Sequence, residues 1–461
     1  MSTKKIDEIP FDFTRRRMSV VLKDKDGKIQ LITKGAIEEM LQICKYAEYE
    51  GKVVEIDKKI RDEILGTVLD LNSKGMRVLA IAQKNEIDNE QQISVKTESD
   101  MVLMGYLSFL DPPKQSAKSA IEALKNLNVR VKVLTGDSDI IAANVCEKIG
   151  IGNNRVLLGS DIEAMDDEQL KNKIEGFDIF AKLTPQQKLR IIKTFKAIGH
   201  IVGFMGDGIN DAPSMREADV AISVDSAVDI AKESADIILL KKDLNVLVDG
   251  VKEGRRVFCN IIKYVKMTLS SNFGNIFSVL FASILLPFLP MLPVQMLLLN
   301  VLYDISQISI PWDNVDEDYL KKQKKWDIGS IKRFVISIGP VSSMCDIILF
   351  IIMYKYLQWD ATLFHSGWFV ASMLTQTIII HLIRTEKKPI IESNVSFSVF
   401  LTTAASMLVS IIIPYTGIGQ SIGLTSIPSY FYLWLTMVIM LYVAMVQFVK
   451  KIYIKSYGSW L

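Results

Sequence analysis

Residues 203–223 read GFMGDGINDAPSMREADVAIS. A short apolar run breaks into a turn that packs Asp207, Asn210 and Asp211 into five residues, with Gly206 and Gly208 around the first acid. Glycine lets backbone approach a ligand closely, and two carboxylates beside an amide suit a hard divalent cation. Taken singly, the stretch also reads as a glycine-rich turn whose acids cap the following helix.

The flanking sequence favours the metal. Between about 129 and 240, the runs VRVKVL, FDIFA, HIVGFM, ADVAIS and ADIILL predict strands separated by helical segments. That alternation is the pattern of a parallel sheet wrapped by helices, with chemistry at the carboxyl ends of its strands. LTGD places Thr135, Gly136 and Asp137 after the first strand, and KLTPQQKLR follows the second and opens a helix carrying Lys188. GDGINDAP follows the third. A hydroxyl, a lysine and an acid pair at one sheet edge suit phosphoryl transfer. The carboxylates would hold Mg²⁺, while the ammonium and hydroxyl would stabilise charge on the phosphoryl oxygens. Alone, TGD is also an ordinary turn and Lys188 a solvated helix residue; in this order, at successive strand ends, they point to one site.

Residues 1–108 form a separate lobe by pattern. FDFTRRRMSVVLKDKDGKIQLITKGA alternates apolar and polar positions around DKDG, which signals a hairpin, and DEILGTVLDLNSKGMRVLAIAQK predicts a helix followed by a strand. Arg15, Arg16, Arg17, Lys34 and Arg77 could meet a nucleotide's phosphates, and Phe11 or Phe13 its base. The same residues also fit a basic surface over core aromatics.

After about residue 265 the composition changes. Six apolar runs, roughly 267–290, 293–311, 334–354, 367–383, 395–414 and 430–449, each approach the ~20 residues that cross a bilayer. Lys321, Lys322, Lys324, Lys325, Lys332 and Arg333 fill the second connection, and Arg384, Lys387 and Lys388 the fourth. Lys450, Lys451 and Lys455 follow the last run, the third connection holds only Lys355, and the first and fifth hold no Lys or Arg. The positive-inside rule then puts the basic connections, the soluble half and the C-terminus in the cytoplasm. Within the runs, Asn272 and Asn275 lie three apart and Asn300 and Asp304 four apart, so each pair shares a helix face. These faces could supply oxygen ligands and one negative charge for a transported cation, or serve as helix–helix hydrogen bonding. Asp346 and Gln376 are lesser candidates for the same role.

The mean hydropathy of +0.24 is too apolar for an ordinary soluble enzyme. A net charge of +2 over 461 residues gives no sign of a nucleic-acid partner. The four cysteines form no CxxC pair, so neither a disulfide framework nor a thiolate metal cluster is expected. MSTKKIDEIPFDF is polar from its start and unlike a cleavable signal peptide.

With GDGINDAP joined to LTGD, DPPK and KGA, the chain resembles the P-type cation-transporting ATPases along essentially its whole length. The resemblance implies a multi-domain α/β plus α-helical membrane protein: a nucleotide-binding lobe at 1–108, a Rossmann-like, haloacid-dehalogenase-like phosphorylation domain at 109–255, and a stalk with a six-helix bundle at 256–461. It implies ATP and Mg²⁺ as cofactors, with DPPK as a hinge. Phe13, Arg17, Lys34 and Arg77 would hold nucleotide. Thr135, Gly136, Asp137 and Lys188 would meet the transferred phosphoryl group, and Asp207, Asn210 and Asp211 would form the catalytic Mg²⁺ site. SNFGNIFSVL, NVLYDISQISIPWD and IGPVSSMCDI resemble the magnesium-importing branch, with Asn272, Asn275, Asn300 and Asp304 lining the path of the ion. A multi-pass protein of the plasma (inner) membrane is then expected, its partners ATP, a divalent cation and the lipid bilayer.

The family's phosphorylated aspartate lies in DKTG, and this sequence has no DKTG; DKDGK at residues 24–28 is a near match inside the predicted hairpin. The actuator motif TGE is missing too. The chain therefore resembles the C-terminal half of such a pump, from a truncated or split gene or as part of a longer chain, with the N-terminal half a possible partner and an aspartyl phosphate as the implied intermediate. The alternatives are a non-catalytic membrane remnant or partner subunit, or a pump for H⁺ or Ca²⁺.

Overall fold

The computed structural model describes residues 4–12, 14–25, 27–85, 87, 93–110, 114–152, 155–241, 243–321, 324–389 and 391–460. It divides into two compact units, Met1–Val248 and Asp249–Leu461.

The first unit opens with a seven-stranded sheet. β1 (Lys4–Asp12), β2 (Arg17–Lys23) and β3 (Ile29–Gly35) run antiparallel, and α1 (Ile37–Ile43) leads to β4 (Cys44–Tyr49) and β5 (Lys52–Glu55). α2 (Lys58–Ser73), β6 (Met76–Asn85) and β7 (Met101–Leu110) complete the order β1-β2-β3-β6-β7-β4-β5. Alternation in RMSVVLK and IQLITKG turns Ser19, Val21, Leu31 and Thr33 inward, so the DKDG hairpin forms with one face dry. Asp57 starts α2 by accepting the Ile60 amide at 2.8 Å, and Gly75, at φ +82°, releases the chain into β6.

α3 (Gln115–Asn126) begins the second layer, followed by β8 (Val133–Leu134), α4 (Asp139–Ile149), β9 (Val156–Leu158), α5 (Gly159–Ala164), α6 (Asp167–Lys173) and β10 (Ile179–Ala181). α7 (Pro185–Ala197), β11 (Gly203–Met205), α8 (Ala212–Glu217), β12 (Val220–Val224), α9 (Asp229–Glu233) and β13 (Ile237–Leu239) complete the unit. The pairing is parallel throughout, as the alternation predicts. One expectation is corrected: the strands form two three-stranded sheets, β8-β10-β9 and β11-β12-β13, rather than one. Among the described residues β8 pairs only with β10, and β11 only with β12. Leu134 on β8 nevertheless packs against the apolar clusters of both sheets, so the two lie side by side.

The second unit is helical. It holds most of α10 (Asn245–Leu285), then α11 (Pro293–Gln307), α12 (Glu317–Leu320), α13 (Ile328–Phe350), α14 (Ala361–Ile383), α15 (Phe397–Ile412), α16 (Gly417–Ser421) and α17 (Phe431–Tyr457). Among the described residues five helices are long and apolar enough to cross a membrane: α10, α13 with its π-turn, α14, α15 with its 3₁₀ turn, and α17. The chain is thus a multi-pass membrane protein. The remaining expected run forms α11, which has 15 residues, about 22 Å at 1.5 Å each, and gives way to a 3₁₀ turn at Ile310–Trp312. Pro311 and the polar stretch from Asn300 to Gln307 interrupt what reads as one apolar run. α14 lies at the centre, with 89% of its apolar window buried. α10 and α13 approach closely through small residues, since a Cβ on Gly339 would sit 2.7 Å from the Phe273 ring.

Candidate functional site

In the first unit the turn after β11 is drawn tight. The Gly206 amide donates to the Ile222 carbonyl at 3.1 Å, and Ser223 Oγ donates to the Gly206 carbonyl at 2.9 Å. A Cβ on Gly206 would fall 2.5 Å from Asp211 Cβ, so only glycine fits. Asp211 is fixed on both sides. Its Oδ1 accepts Lys188 Nζ at 2.8 Å, and its Oδ2 accepts the Gly208 amide at 3.4 Å. Lys188 comes from the second turn of α7, whose start is set by a Thr184–Gln187 capping box with Pro185 at its first position. Both partners are largely shielded, at 15% and 14% exposure. Asp207 is exposed, and its carboxylate makes no hydrogen bond or ion pair among the described residues.

The TGD turn is fastened to the loop after β10. The Thr135 amide donates to Phe180, Leu183 to the Thr135 carbonyl, and Lys182 to the Asp137 carbonyl, at 2.8 to 3.0 Å. Thr135 Oγ1 donates to Asp137 Oδ2 at 2.9 Å, and Arg77 Nη2 reaches the same oxygen at 2.7 Å. Arg77 therefore bridges β6 of the lobe to the TGD turn. Ser138 caps α4, which turns Gly136 and Asp137 to the strand end. The structure brings Lys188 and Asp211 into contact, and Arg77, Thr135 and Asp137 into contact; no bond joins the two groups among the described residues.

In the lobe, Arg17 Nε binds Glu98 Oε2 at 2.8 Å, and Arg15 Nη1 binds both Glu98 oxygens at 2.8 and 2.9 Å. Ser19 Oγ adds a bond at 2.7 Å, and the Glu98 side chain is fully buried. Burial alone would raise this carboxyl, but Arg17, Ser19 and Arg15 hold it below the usual carboxylate range. Arg17 thus spends its charge inside the lobe. Lys34 is exposed on β3 opposite Ile81, and a Cβ on Gly35 beside it would meet Arg17 Cβ at 2.6 Å. Phe13 and residues 111–113 of DPPK lie outside the described residues. A groove of about 630 Å³ lined by Cys44, Lys45, Asp57, Lys58 and Arg61 lies elsewhere and takes in none of Arg17, Lys34 and Arg77.

In the helical unit Asn275 Oδ1 accepts Gln376 Nε2 at 3.0 Å, whereas Asn272, Asn300 and Asp304 are exposed and make no hydrogen bond with one another. The buried polar partners run elsewhere: Thr268 with Gln307 at 2.8 Å, and Ser278 with Asp346 at 2.6 Å. Beyond the spans, Asp313 is 3% exposed and binds Lys263 Nζ and Arg384 Nε, each at 2.9 Å. Glu98 and Asp313 were not singled out from sequence, because each pairs with residues 50 to 83 positions away and nothing local marks them. Among the described residues no three His, Cys, Asp or Glu side chains group as a metal site.

A unit with a glycine-bounded acid turn and a capped lysine, followed in the chain by long apolar helices, is the arrangement the sequence resemblance leads one to expect. Comparison agrees: residues 1–116 match the family described as P-type ATPase, cytoplasmic domain N, and residues 288–452 match Cation transporting ATPase, C-terminus. The chain belongs to the P-type cation-transporting ATPases. It is 47% identical over 459 residues to "Magnesium-transporting ATPase, P-type 1" of Escherichia coli, covering 99% of this chain and 51% of that protein. The protein of the same name from Salmonella typhimurium is 47% identical over 464 residues, with the same shares. "Calcium-transporting ATPase 1" of Bacillus cereus is 30% identical over 370 residues, covering 78% of this chain and 41% of that protein. The chain spans about half the length of the curated relatives it matches.

Proposed function

We propose that this chain is the nucleotide-binding, metal-holding and ion-conducting part of an ATP-driven importer of Mg²⁺ in the plasma membrane, with its soluble unit and C-terminus cytoplasmic. The observation that carries the reading is the Lys188–Asp211 pair packed under Gly206, which leaves Asp207 unpaired beside it. An unpaired carboxylate on a turn where a Cβ would clash fits a divalent ion. Asp207 would hold catalytic Mg²⁺, with Asn210 alongside, and that ion would neutralise charge on the transferring phosphoryl group. Asp211 acts through Lys188, fixing the ammonium that meets phosphoryl oxygen. Thr135 and Gly136 offer a hydroxyl and a backbone amide, and Asp137 tethers Arg77. For ATP the fit is narrower. Exposed Lys34, beside Gly35, is the basic residue proposed to meet nucleotide, while Arg17 supports the lobe through Glu98 and Arg77 would reach nucleotide only by leaving Asp137.

The domain limits 1–108, 109–255 and 256–461 follow the same reading, with α11 as a sixth, short and polar crossing. Magnesium as cargo is supported by 47% identity to pumps of that name against 30% to a calcium pump. Asn272, Asn275, Asn300 and Asp304 are proposed to line its path. The exposed Asn272, Asn300 and Asp304 suit contact with helices of a complementary N-terminal half, while Asn275 is held by Gln376. The edges of β8 and β11, unpaired among the described residues, suit insertion of a strand from that half, bearing the acceptor aspartate.

Acid-quenched labelling with γ-labelled ATP tests this. The chain alone should take no hydroxylamine-labile label, because Thr135, Lys188 and Asp207 stabilise a transferred phosphate but do not accept it. Mixed with a complementary half, label should form there and fall at least tenfold with Asp207→Asn. Stoichiometric label on this chain alone would overturn the reading.

A further inference from the structure

Two neighbouring lysines on α10 are buried to the same degree and held in different ways. Lys263 and Lys266 are each 2% exposed. Lys263 Nζ pairs with Asp313 Oδ2 at 2.9 Å. Lys266 has no carboxylate partner among the described residues; its ammonium donates to the Trp460 carbonyl at 2.9 Å and sits 4.9 Å from the centre of the Phe334 ring on α13. Asp327, whose charge favours it from a distance, is exposed and lies 3.5 Å from Arg333. An ammonium taken from water is costly unless it is paired, and neutral partners hold it less firmly than a carboxylate.

Trp460, which supplies that hydrogen bond, lies beyond α17. The chain leaves the helix at Gly458, whose φ of +69° suits glycine, and turns back so that Trp460 is fully buried. The Trp460 ring meets Phe334 of α13 at 4.7 Å and Tyr453 of α17 at 5.4 Å. Its Nε1 donates to the Ile383 carbonyl at the end of α14 at 2.8 Å. Four helices thus meet at one side chain. Gly458 and Ser459 are exposed, so a single buried anchor holds this short segment in place.

We propose that Trp460 is a latch on α10: docked, it holds Lys266 against α13, and undocked, it releases the ammonium to carry that part of α10 toward water. The two positions differ in what satisfies Lys266, which is the Trp460 carbonyl and Phe334 ring in one and water in the other. Lys450 lies 5.5 Å over the Trp460 ring but also donates to the Leu382 and Lys387 carbonyls at 3.2 and 3.0 Å, so it stays held when the latch opens. α10 is pinned on one side of Lys266 by the Lys263–Asp313 pair. On the other side it is pinned at Gly274, where a Cβ would lie 2.8 Å from the Gly339 carbonyl oxygen. The freed stretch lies between these points and includes Asn272, so Trp460 is a positioning residue for the face proposed to line the ion path. That consequence rests on the transport reading, whereas the latch is measured without transport and its failure would leave that reading standing.

Amine-reactive labelling of the purified full chain in lipid, under single-hit conditions and read by peptide mass spectrometry, provides the test. In the native chain Lys266 should react more slowly than exposed lysines and faster than Lys263, because its partners are neutral. Trp460→Ala should speed Lys266 at least tenfold and leave Lys263 protected. Trp460→Phe keeps a ring but loses the bond to Ile383, so its Lys266 rate should fall between the two. Should Trp460→Ala lose its helical circular dichroism, Trp460→Phe decides by the same pair of rates. A native Lys266 no faster than Lys263, or a Lys266 rate that the substitutions leave unchanged, would overturn the proposal. So would a Lys263 rate that rises in step, because that marks general loosening rather than a latch.

Discussion

Replacing Asp313 by Ala removes the one anion shared by two buried cations. Its Oδ2 lies 2.9 Å from both Lys263 Nζ and Arg384 Nε, its Oδ1 accepts the Ser396 amide at 3.2 Å, and all three charged side chains are 2–3% exposed. The carboxylate ties α10 to the stretch after α11 and to the α14–α15 turn. Removing one member of a buried ion pair costs about 3–5 kcal/mol, and here two cations are stranded, so the upper end is expected. Over a unit of this size that corresponds to a fall in Tm on the order of 10 °C. Asp313→Asn keeps the shape and part of the hydrogen bonding, so it should fall between Ala and the native residue. Tryptophan fluorescence during heating of the full chain in detergent micelles reads the effect. The pH dependence has a definite sign. Burial alone would raise the Asp313 carboxyl, but Lys263 and Arg384 more than offset this and hold it below the usual range. Its contribution is therefore complete above the ordinary carboxylate value near ~4 and is lost as pH falls through the depressed value. Asp313→Asn should flatten that acid limb. A loss below about 1 kcal/mol for Asp313→Ala would refute the reasoning, because it would mean Lys263 and Arg384 reach water or other anions.

Glu98→Ala should destabilise the lobe by about 3 kcal/mol in urea unfolding of the full chain, since Arg15 and Arg17 lose a fully buried partner. The Glu98 contribution should fade in acid, because its folded value is depressed like that of Asp313. Gly206→Ala should disturb the Lys188–Asp211 pair, as its Cβ would lie 2.5 Å from Asp211 Cβ; binding of a phosphate analogue should weaken while helical content is unchanged. Cys44 and Cys146 should resist thiol reagents in the native protein and react on unfolding, because burial pushes their thiols up to about 12 and about 11.

Local patterning made much of the architecture readable. The DKDG hairpin, the TPQQK helix start and the GDG turn each carry a rule that acts within a few residues, and each forms where the rule puts it. β9 escaped because RVLL is too short for a period to register, and only its pairing with β10 makes it a strand. VRVKVL contributes just Val133–Leu134 to β8, the two positions that find a partner on β10. Hydropathy found the apolar run at 293–311 but not the polar end and Pro311 that shorten α11. In the sites, residue type was legible and pairing was not. Arg17 reads as a phosphate ligand until Glu98, 81 positions on, takes its charge. Asp304 is the conspicuous acid by pattern, yet α11 turns it outward, and the buried acid is Asp346.

The proposed function requires an energetic link from the Asp207 turn to ion movement through the helices. Uptake of isotopically labelled Mg²⁺ into vesicles holding this chain with a complementary N-terminal half measures it directly. Uptake should require ATP and fall at least tenfold with Asp207→Asn, while Asp304→Asn should raise the half-saturating Mg²⁺ concentration or abolish uptake with the fold intact. ATP-driven uptake that persists unchanged in both variants would contradict the account.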